Sequence, residues 1–458
     1  MKTDKSGKFV LTTPEEYIKM GEEHTDKDRE ISWQKVREME RKVNMHALAW
    51  DLIWRTGEDH GHQDRVTKSR ATRSGNQATL TLLYKDHKQG NKTRPVASGN
   101  ESFNLGLSNG ISEVLEAVAR SKKKPYSLIS AEDLLARAHQ FNDEWSAIIA
   151  DRQGRSISKE QNPGSPERIV NKDPCNTVPE VTLIGNDVTA LYPSLSAENT
   201  ARIIRDEIMK SEIKFEGFDT NRGRAYLQIN RDLIEDIESI EHLLPKRKSK
   251  SGTSPGMPSI DRKWNPHKQW EFERVDITKD EERKIIGAVA EVALKVLFNN
   301  FTYKFGEKYF HQSEGGPIGV RATGAAAQLV MEHWGKEYRS LLEAAGLQIF
   351  MLSGYVDDGR QISSVLKPGM RFVESQFIFS EEAEKADFKM KEQGESTNQR
   401  MARVCRPAMD SVNSDLKFTT ESQEDFENER LPTQDFEMWL TQDGVRHSYY
   451  QKPMKTPP

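Results

Sequence analysis

Apolar and polar positions alternate in blocks along this chain, and the sharpest block ends at an acidic turn. Leu347, Ile349, Phe350, Met351 and Leu352 lead into Gly354-Tyr355-Val356-Asp357-Asp358-Gly359, and Ile362 follows. This pattern predicts strand, tight turn, strand, with two adjacent carboxylates at the turn. Upstream, Val181-Thr182-Leu183-Ile184 reads as a buried strand running into Asn186-Asp187, with Val188-Thr189-Ala190-Leu191-Tyr192-Pro193-Ser194 after it. Leu80-Thr81-Leu82-Leu83-Tyr84 predicts a strand before a basic loop, and Phe301 to Phe310 a hairpin about Gly306. Helical spacing covers Trp33 to Trp54, Ser108 to Ala119, Ile285 to Phe298 and Ala322 to about Trp334. Thr13-Pro14-Glu15-Glu16 and Ser130-Ala131-Glu132-Asp133 have the caps and early acids of helix starts. Gln153 to Pro179, rich in Pro, Gly and Asn, predicts a loop.

Composition narrows the class. With 458 residues, 35% hydrophobic and 30% charged, the chain has the makings of a globular protein with large solvated surfaces. Cys175 and Cys405 cannot build a disulfide framework, which fits a reducing compartment. The most apolar stretch, Gly287 to Phe298, is broken by Glu291 and Lys295, and Met1-Lys2-Thr3-Asp4-Lys5 lacks an apolar signal core. Neither a membrane span nor a secretory signal is expected. The net charge of -4 sits awkwardly with a nucleic-acid partner, but the charge is segregated. From Arg65 to Arg94 the bases are Arg65, Lys68, Arg70, Arg73, Lys85, Lys88, Lys92 and Arg94, against Asp86. Acidic runs lie at Glu381 to Glu384 and Glu421 to Glu429. Leu244 to Gly252, basic and breaker-rich, reads as an exposed, flexible insertion that could touch nucleic acid or act as a nuclear import signal, and an intracellular, nuclear protein is expected.

The chemistry lies in the acids. Two adjacent carboxylates repel by something on the order of 4 kcal/mol at an effective dielectric near 20, a penalty that a bound cation removes. Asp-Asp-Gly is also ordinary hairpin chemistry. The second strand-end acid, Asp187, brings the set to what a two-metal phosphoryl-transfer site needs, because hard cations such as Mg²⁺ take oxygen ligands and a pair about 3.5–4 Å apart clamps attacking and leaving oxygens. The loop from Lys85 to Ser98 could lie over a triphosphate, Lys giving point charge and Arg a bidentate fork, or be a merely basic hairpin. Gln312-Ser313-Glu314-Gly315-Gly316-Pro317-Ile318-Gly319 is a glycine-rich loop opening onto a helix, where backbone can approach a ligand closely. Asp59-His60-Gly61-His62 has metal-like composition and reads as a polar loop.

Taken in order, Asp187, Gly315 to Gly319 and Tyr355 to Asp358 make the sequence resemble a reverse transcriptase, and more narrowly the Penelope-like retroelement group. Lys85 to Lys88 through Arg94 to Gly99 looks like the basic fingers motif, Leu183 to Leu195 like motif A, Phe298 through Glu332 like motif B, and Tyr355-Val356-Asp357-Asp358 like motif C. Leu431-Pro432-Thr433-Gln434-Asp435 with Tyr450-Gln451-Lys452-Pro453 resembles the strands after the palm. The resemblance implies an α+β fold, a right-hand polymerase palm formed of an antiparallel sheet with helices on one face, plus fingers. Fingers would span 1–125 and palm 126–458, with a fingers-like insertion at about 209–300 and no complete thumb. The implied activity is RNA-directed DNA polymerase, a nucleotidyltransferase extending a DNA primer on an RNA template with deoxynucleoside triphosphates and two Mg²⁺ ions, or Mn²⁺. Asp187, Asp357 and Asp358 would be catalytic and hold metal. Lys88, Arg94, Tyr192, Gln312 and Gly319 would bind nucleotide, with Tyr192 crowding the ribose 2′-hydroxyl. Val320-Arg321 departs from the Ser-Pro that commonly follows the motif B glycine. The alternatives are a catalytically silent or co-opted fold that only binds RNA, and an RNA-dependent RNA polymerase.

Overall fold

The computed structural model describes residues 1–4, 8–54, 76–85, 92–99, 102–122, 126–128, 130–160, 180–215, 278–433 and 436–449, with 218, 223, 226 and 227. The described elements begin with α1 (Pro14–Thr25), β1 (Arg29–Ile31), α2 (Trp33–Ile53), β2 (Ala78–Tyr84), β3 (Thr93–Ser98), α3 (Leu105–Arg120), α4 (Ala131–Glu160), β4 (Val181–Val188), α5 (Leu191–Ser194), α6 (Ala197–Lys210) and α7 (Lys279–Asn299). They continue with β5 (Thr302–Phe305), β6 (Lys308–His311), α8 (Arg321–Ala344), β7 (Ile349–Tyr355), β8 (Asp358–Ser364), β9 (Met370–Val373), β10 (Gln376–Phe379), α9 (Glu381–Glu392), α10 (Thr397–Val412), β11 (Phe418–Ser422), β12 (Leu431–Thr433), β13 (Phe436–Thr441) and β14 (Gly444–Tyr449). The architecture is mixed α+β. The chain divides into two compact units, the first built from Met1–Lys123 and Tyr192–Val330, the second from Lys124–Leu191 and Met331–Lys452.

The first unit holds a five-stranded sheet of order β1-β6-β5-β2-β3. β2 alternates buried and exposed residues, as one covered sheet face requires. α1 lies against this sheet. The Phe305 ring occupies the space beside Gly21 that a Cβ would fill, and Tyr17 stands 5.9 Å from the same ring. The reciprocal cap between Thr13 and Glu16 starts α1 where the sequence places it. Glu291 and Lys295 interrupt the apolar run of α7 because they pair toward α6, Lys295 with Glu198 at 2.6 Å and with Glu291 at 3.2 Å.

The second unit is built on a four-stranded antiparallel sheet of order β11-β4-β8-β7. Leu183, Met351 and Ile362 face Leu134, Ala138, Phe141 and Trp145 of α4, and Leu431, Met438 and Val445 of the small β12-β13-β14 sheet. Successive strand residues point to opposite faces, so Gln361 lies on the other side from Ile362. There Tyr338 of α8 donates to Gln361 Oε1 at 2.9 Å, Trp334 stacks on Phe418 at 4.5 Å, and its indole N–H donates to Met409 O of α10 at 3.0 Å. The expected sheet with helices on one face is thereby corrected. Both faces are covered, because α4 and the small sheet pack on the Leu183–Ile362 side while α8 and α10 pack on the Gln361–Phe418 side. A second correction concerns 153–160, expected as loop. α4 runs on to Glu160, since the first proline after its start is Pro163 and Ser130 and Asp133 cap it reciprocally. Asp59 to Asp64, Cys175 and Leu244 to Gly252 lie outside the described residues. No helix of the described residues is long and apolar enough to cross a membrane.

Candidate functional site

In the second unit the predicted acids meet at the ends of two neighbouring strands. β4 ends at Asp187-Val188, and β8 begins at Asp358, with Asp187 directly opposite Asp358. Tyr355 pairs with Asp358 to close the hairpin, leaving Val356 and Asp357 as a two-residue loop. Val188 N–H donates to Asp357 O at 2.9 Å, which ties the loop to the end of β4. Val356 has φ +57°, a conformation in which two-residue hairpin loops favour glycine and a β-branched side chain is strained. That strain, of order 1–3 kcal/mol, persists only where the surroundings over-determine it, as active sites do.

The hairpin is narrow underneath. Gly354 and Gly359 pair across it, and a Cβ on either would come within 2.5 Å of the Tyr126 hydroxyl. Tyr126 fills the slot they leave and packs edge-on against Trp334 at 5.3 Å. Burial pushes its phenol far above the ordinary range, and the charge of Asp358 adds to that. Beside it Asn186 is buried, its amide without a hydrogen-bond partner among the described residues.

The Asp187 carboxyl is strongly perturbed. Partial burial of its carboxyl group and then the charges of Asp357, Asp358 and Glu421 push it up from 3.8 to about 6, with Arg360 opposing them. A carboxylate raised by its like-charged neighbours is the condition that a cation relieves. Asp358 already has its counter-charge. Arg360 Nη1 donates to Asp358 Oδ1 at 2.5 Å, and Arg360 is 2% exposed. The donor set is all carboxylate oxygen, the chemistry that suits a hard divalent cation such as Mg²⁺ or Mn²⁺. Among the described residues no group of three or more His, Cys, Asp and Glu side chains is gathered so as to hold a metal ion.

Of the nucleotide-binding residues expected from sequence, Arg94, Tyr192, Gln312 and Gly319 fall in the first unit. Lys88 lies outside the described residues. Arg94 stands in β3 opposite Leu83 and pairs with Asp4 at 3.3 Å. Tyr192, in α5, accepts the Gly316 N–H at 2.8 Å on its carbonyl, so the glycine-rich loop is held to the segment after β4. Gln312 donates to Glu314 O at 3.0 Å within that loop. Gly319 has φ +99°, and a Cβ there would stand 2.3 Å from Ala97 O. Its small size is therefore used against the backbone of β3, where Ala97 N–H also donates to Ile318 O at 3.1 Å. The structure thus unites Asp187, Asp357 and Asp358 in one unit and Tyr192 with the Gly315-Gly316 turn in the other. Sequence reading missed Arg360, Tyr126 and Asn186. The signal available for Tyr126 was the symmetry of two glycines flanking Tyr355 to Asp358, which marks a close approach.

No protein-family model matches the chain, and no curated protein matches it. Among solved structures it is similar to apo telomerase from Candida tropicalis, at 11% identity and TM-score 0.38 over 83% of this chain and 49% of that one. It is also similar to telomerase from Candida albicans in complex with the TWJ fragment of telomeric RNA, at 9% identity and TM-score 0.36 over 81% of this chain and 46% of that one. The C. tropicalis enzyme truncated from its C-terminal domain matches at 11% identity and TM-score 0.36, over 82% and 56% of the two chains. The chain thus spans about half the length of the telomerases it resembles.

Proposed function

We propose that the second unit carries the catalytic centre of an RNA-directed DNA polymerase. The observation that supports this most is the convergence of Asp187, Asp357 and Asp358 at the ends of adjacent strands, with Asp187 driven up to about 6 by partial burial and then by its neighbours' charges. In this reading Asp187 and Asp357 hold Mg²⁺, or Mn²⁺, which when bound supplies the positive charge that phosphoryl transfer to a primer 3′-hydroxyl needs. The work of the chain's own residues is to position that charge. The strained Val356 turn and the Asp357 carbonyl bonded to Val188 fix one acid, and the β4–β8 register fixes the other. Lys88 and Arg94 neutralise the triphosphate, Gln312 and Gly319 contact nucleotide and template strand, and Tyr192 excludes the ribose 2′-hydroxyl. The partners are an RNA template, a DNA primer and deoxynucleoside triphosphates.

Primer extension on an RNA template with Mg²⁺ and deoxynucleotides tests the reading. The expected outcome is template-dependent extension by the wild-type chain and a loss of about 1,000-fold or more in Asp357→Ala with its fold retained. A well-folded chain that binds primer-template yet extends nothing would support the silent RNA-binding alternative instead. Run with ribonucleotides, the same assay addresses Tyr192: Tyr192→Ala is expected to accept them about tenfold better, and unchanged selectivity removes Tyr192 as the gate.

A further inference from the structure

The acids of the candidate centre are served by a buried cation that no motif pointed to. Arg360 lies two residues after Asp358 on β8, on the same strand face, and it is 2% exposed. Its donors are used on three sides. Nη1 donates to Asp358 Oδ1 at 2.5 Å and to Gly359 O at 2.6 Å, Nε donates to Thr433 Oγ1 at 2.7 Å, and Nη2 donates to Pro432 O. Thr433 and Pro432 belong to β12, so one guanidinium ties the acidic hairpin to the small sheet. Room for it is made by Gly185, its partner across the β4–β8 ladder, where a Cβ would come within 3.2 Å of Nη1 and of Leu431. Gly185 is two residues before Asp187, so the strand that carries one acid also makes the slot for the cation facing the other.

Removing an arginine from water is costly, and single-point charge pairing does not need four bonds from one guanidinium. A guanidinium held this tightly on Asp358, and acting also on Asp187, sets how the two acids differ. We propose, resting on the polymerase reading above, that Arg360 is a positioning residue that makes Asp358 unequal to Asp187: it holds Asp358 as a counter-charged carboxylate, locks it to β12, and sets the net charge that a divalent cation meets at Asp187. Arg360 touches no reacting atom. It acts through Asp358 and through the net charge that the cation meets.

The proposal separates charge from scaffold, and three variants of the full chain test it: Arg360→Met, which removes charge and donors; Arg360→Gln, which removes charge but keeps donors toward Pro432 O and Thr433; and Arg360→Lys, which keeps the charge. Mn²⁺ binding is followed by titration of the metal alone, and folding by thermal unfolding. Losing a positive charge a few ångströms from a dication is expected to tighten Mn²⁺ binding by about three- to tenfold in the Met and Gln variants, while the Lys variant stays within about twofold of wild type. In primer extension the two neutral variants are expected to lose about tenfold in kcat with KM for the deoxynucleotide changed by less than about twofold, because Asp358 is no longer held. A merely structural role would weaken Mn²⁺ binding in every variant, in step with lost stability. Mn²⁺ binding no tighter than wild type in a folded Arg360→Met or Arg360→Gln chain overturns the proposal. A wild-type chain that extends no primer overturns the polymerase reading alone, since the metal titration still judges Arg360.

Discussion

The second unit contains two clusters of aspartate and arginine, and they are built to opposite ends. In the first, Asp387 of α9 is 6% exposed and meets two guanidinium groups, with Arg400 Nε donating to it at 2.8 Å and Arg403 Nη2 at 3.0 Å, while the Gly369 N–H donates at 2.9 Å. Arg400 also reaches Leu366 O at 2.7 Å and Lys367 O at 2.8 Å. Burial raises the Asp387 carboxyl, but the Gly369 amide and the two arginines outweigh it and hold it below its ordinary value. In the second cluster, Asp187, Asp357, Asp358 and Glu421 stand against Arg360, and Asp187 is pushed up to about 6. One cluster saturates its acid and joins α9, α10 and the β9 hairpin. In the other, Asp358 has its buried arginine while Asp187 stands exposed at a strand end among like charges. Acid residues alone do not mark a site; the excess of acid over base does.

Breaking each cluster is expected to have contrasting results. The largest effect is on extension, where Asp357→Ala removes activity without unfolding the chain. Next comes Asp387→Ala, which leaves Arg400 buried without its acid and is expected to cost about 3 kcal/mol of stability, read by denaturant unfolding, with extension per folded molecule unchanged. A Asp387→Ala chain as stable as wild type would dissolve the distinction between the clusters.

The pH dependence sharpens it further. The folded value of Asp187 is raised above that of an unfolded aspartate, so the folded chain binds the proton more tightly, and metal-free stability falls as pH rises from about 4 to about 6. Asp387 has the opposite sign: its lowered folded value contributes stability above about 4 that is lost as pH falls through that lowered value. Asp187→Asn is therefore expected to raise the metal-free unfolding midpoint at pH 8 by about 1–3 °C, a figure kept small because Asp187 is solvent-exposed, and to leave it unchanged at pH 4. Mg²⁺ binding and extension should fall in wild type as pH drops through about 6. The smallest effect is at Val356→Gly. It relieves the positive φ but adds chain entropy to the unfolded state, so stability is expected to change by less than about 1 kcal/mol in thermal unfolding.

Much of the local structure was legible before any fold was known. The alternation of β2, the caps of α1 and α4 and the hairpin about Gly306 are local preferences, and they occur where the pattern puts them. The acids were legible as three residues at strand ends, because an apolar run that stops at Asp or Asp-Asp-Gly is unusual enough to see. The coverage of both faces of the main sheet was not. Gln361 and Ser363 of β8 look polar and solvent-facing in sequence, yet both are fully buried, and the Tyr338 hydroxyl donates to Gln361.

Most helices and strands, the order of the acidic motifs and the residue types available to bind a cation follow from neighbours a few positions away. Which acid meets which charge is a matter of long-range packing. Asp358 meets Arg360 and β12, Asp187 meets Asp357, and Tyr126 enters between Gly354 and Gly359, across sequence separations from two to more than two hundred residues. Coulomb energy depends on distance and burial, and neither is a property of sequence order.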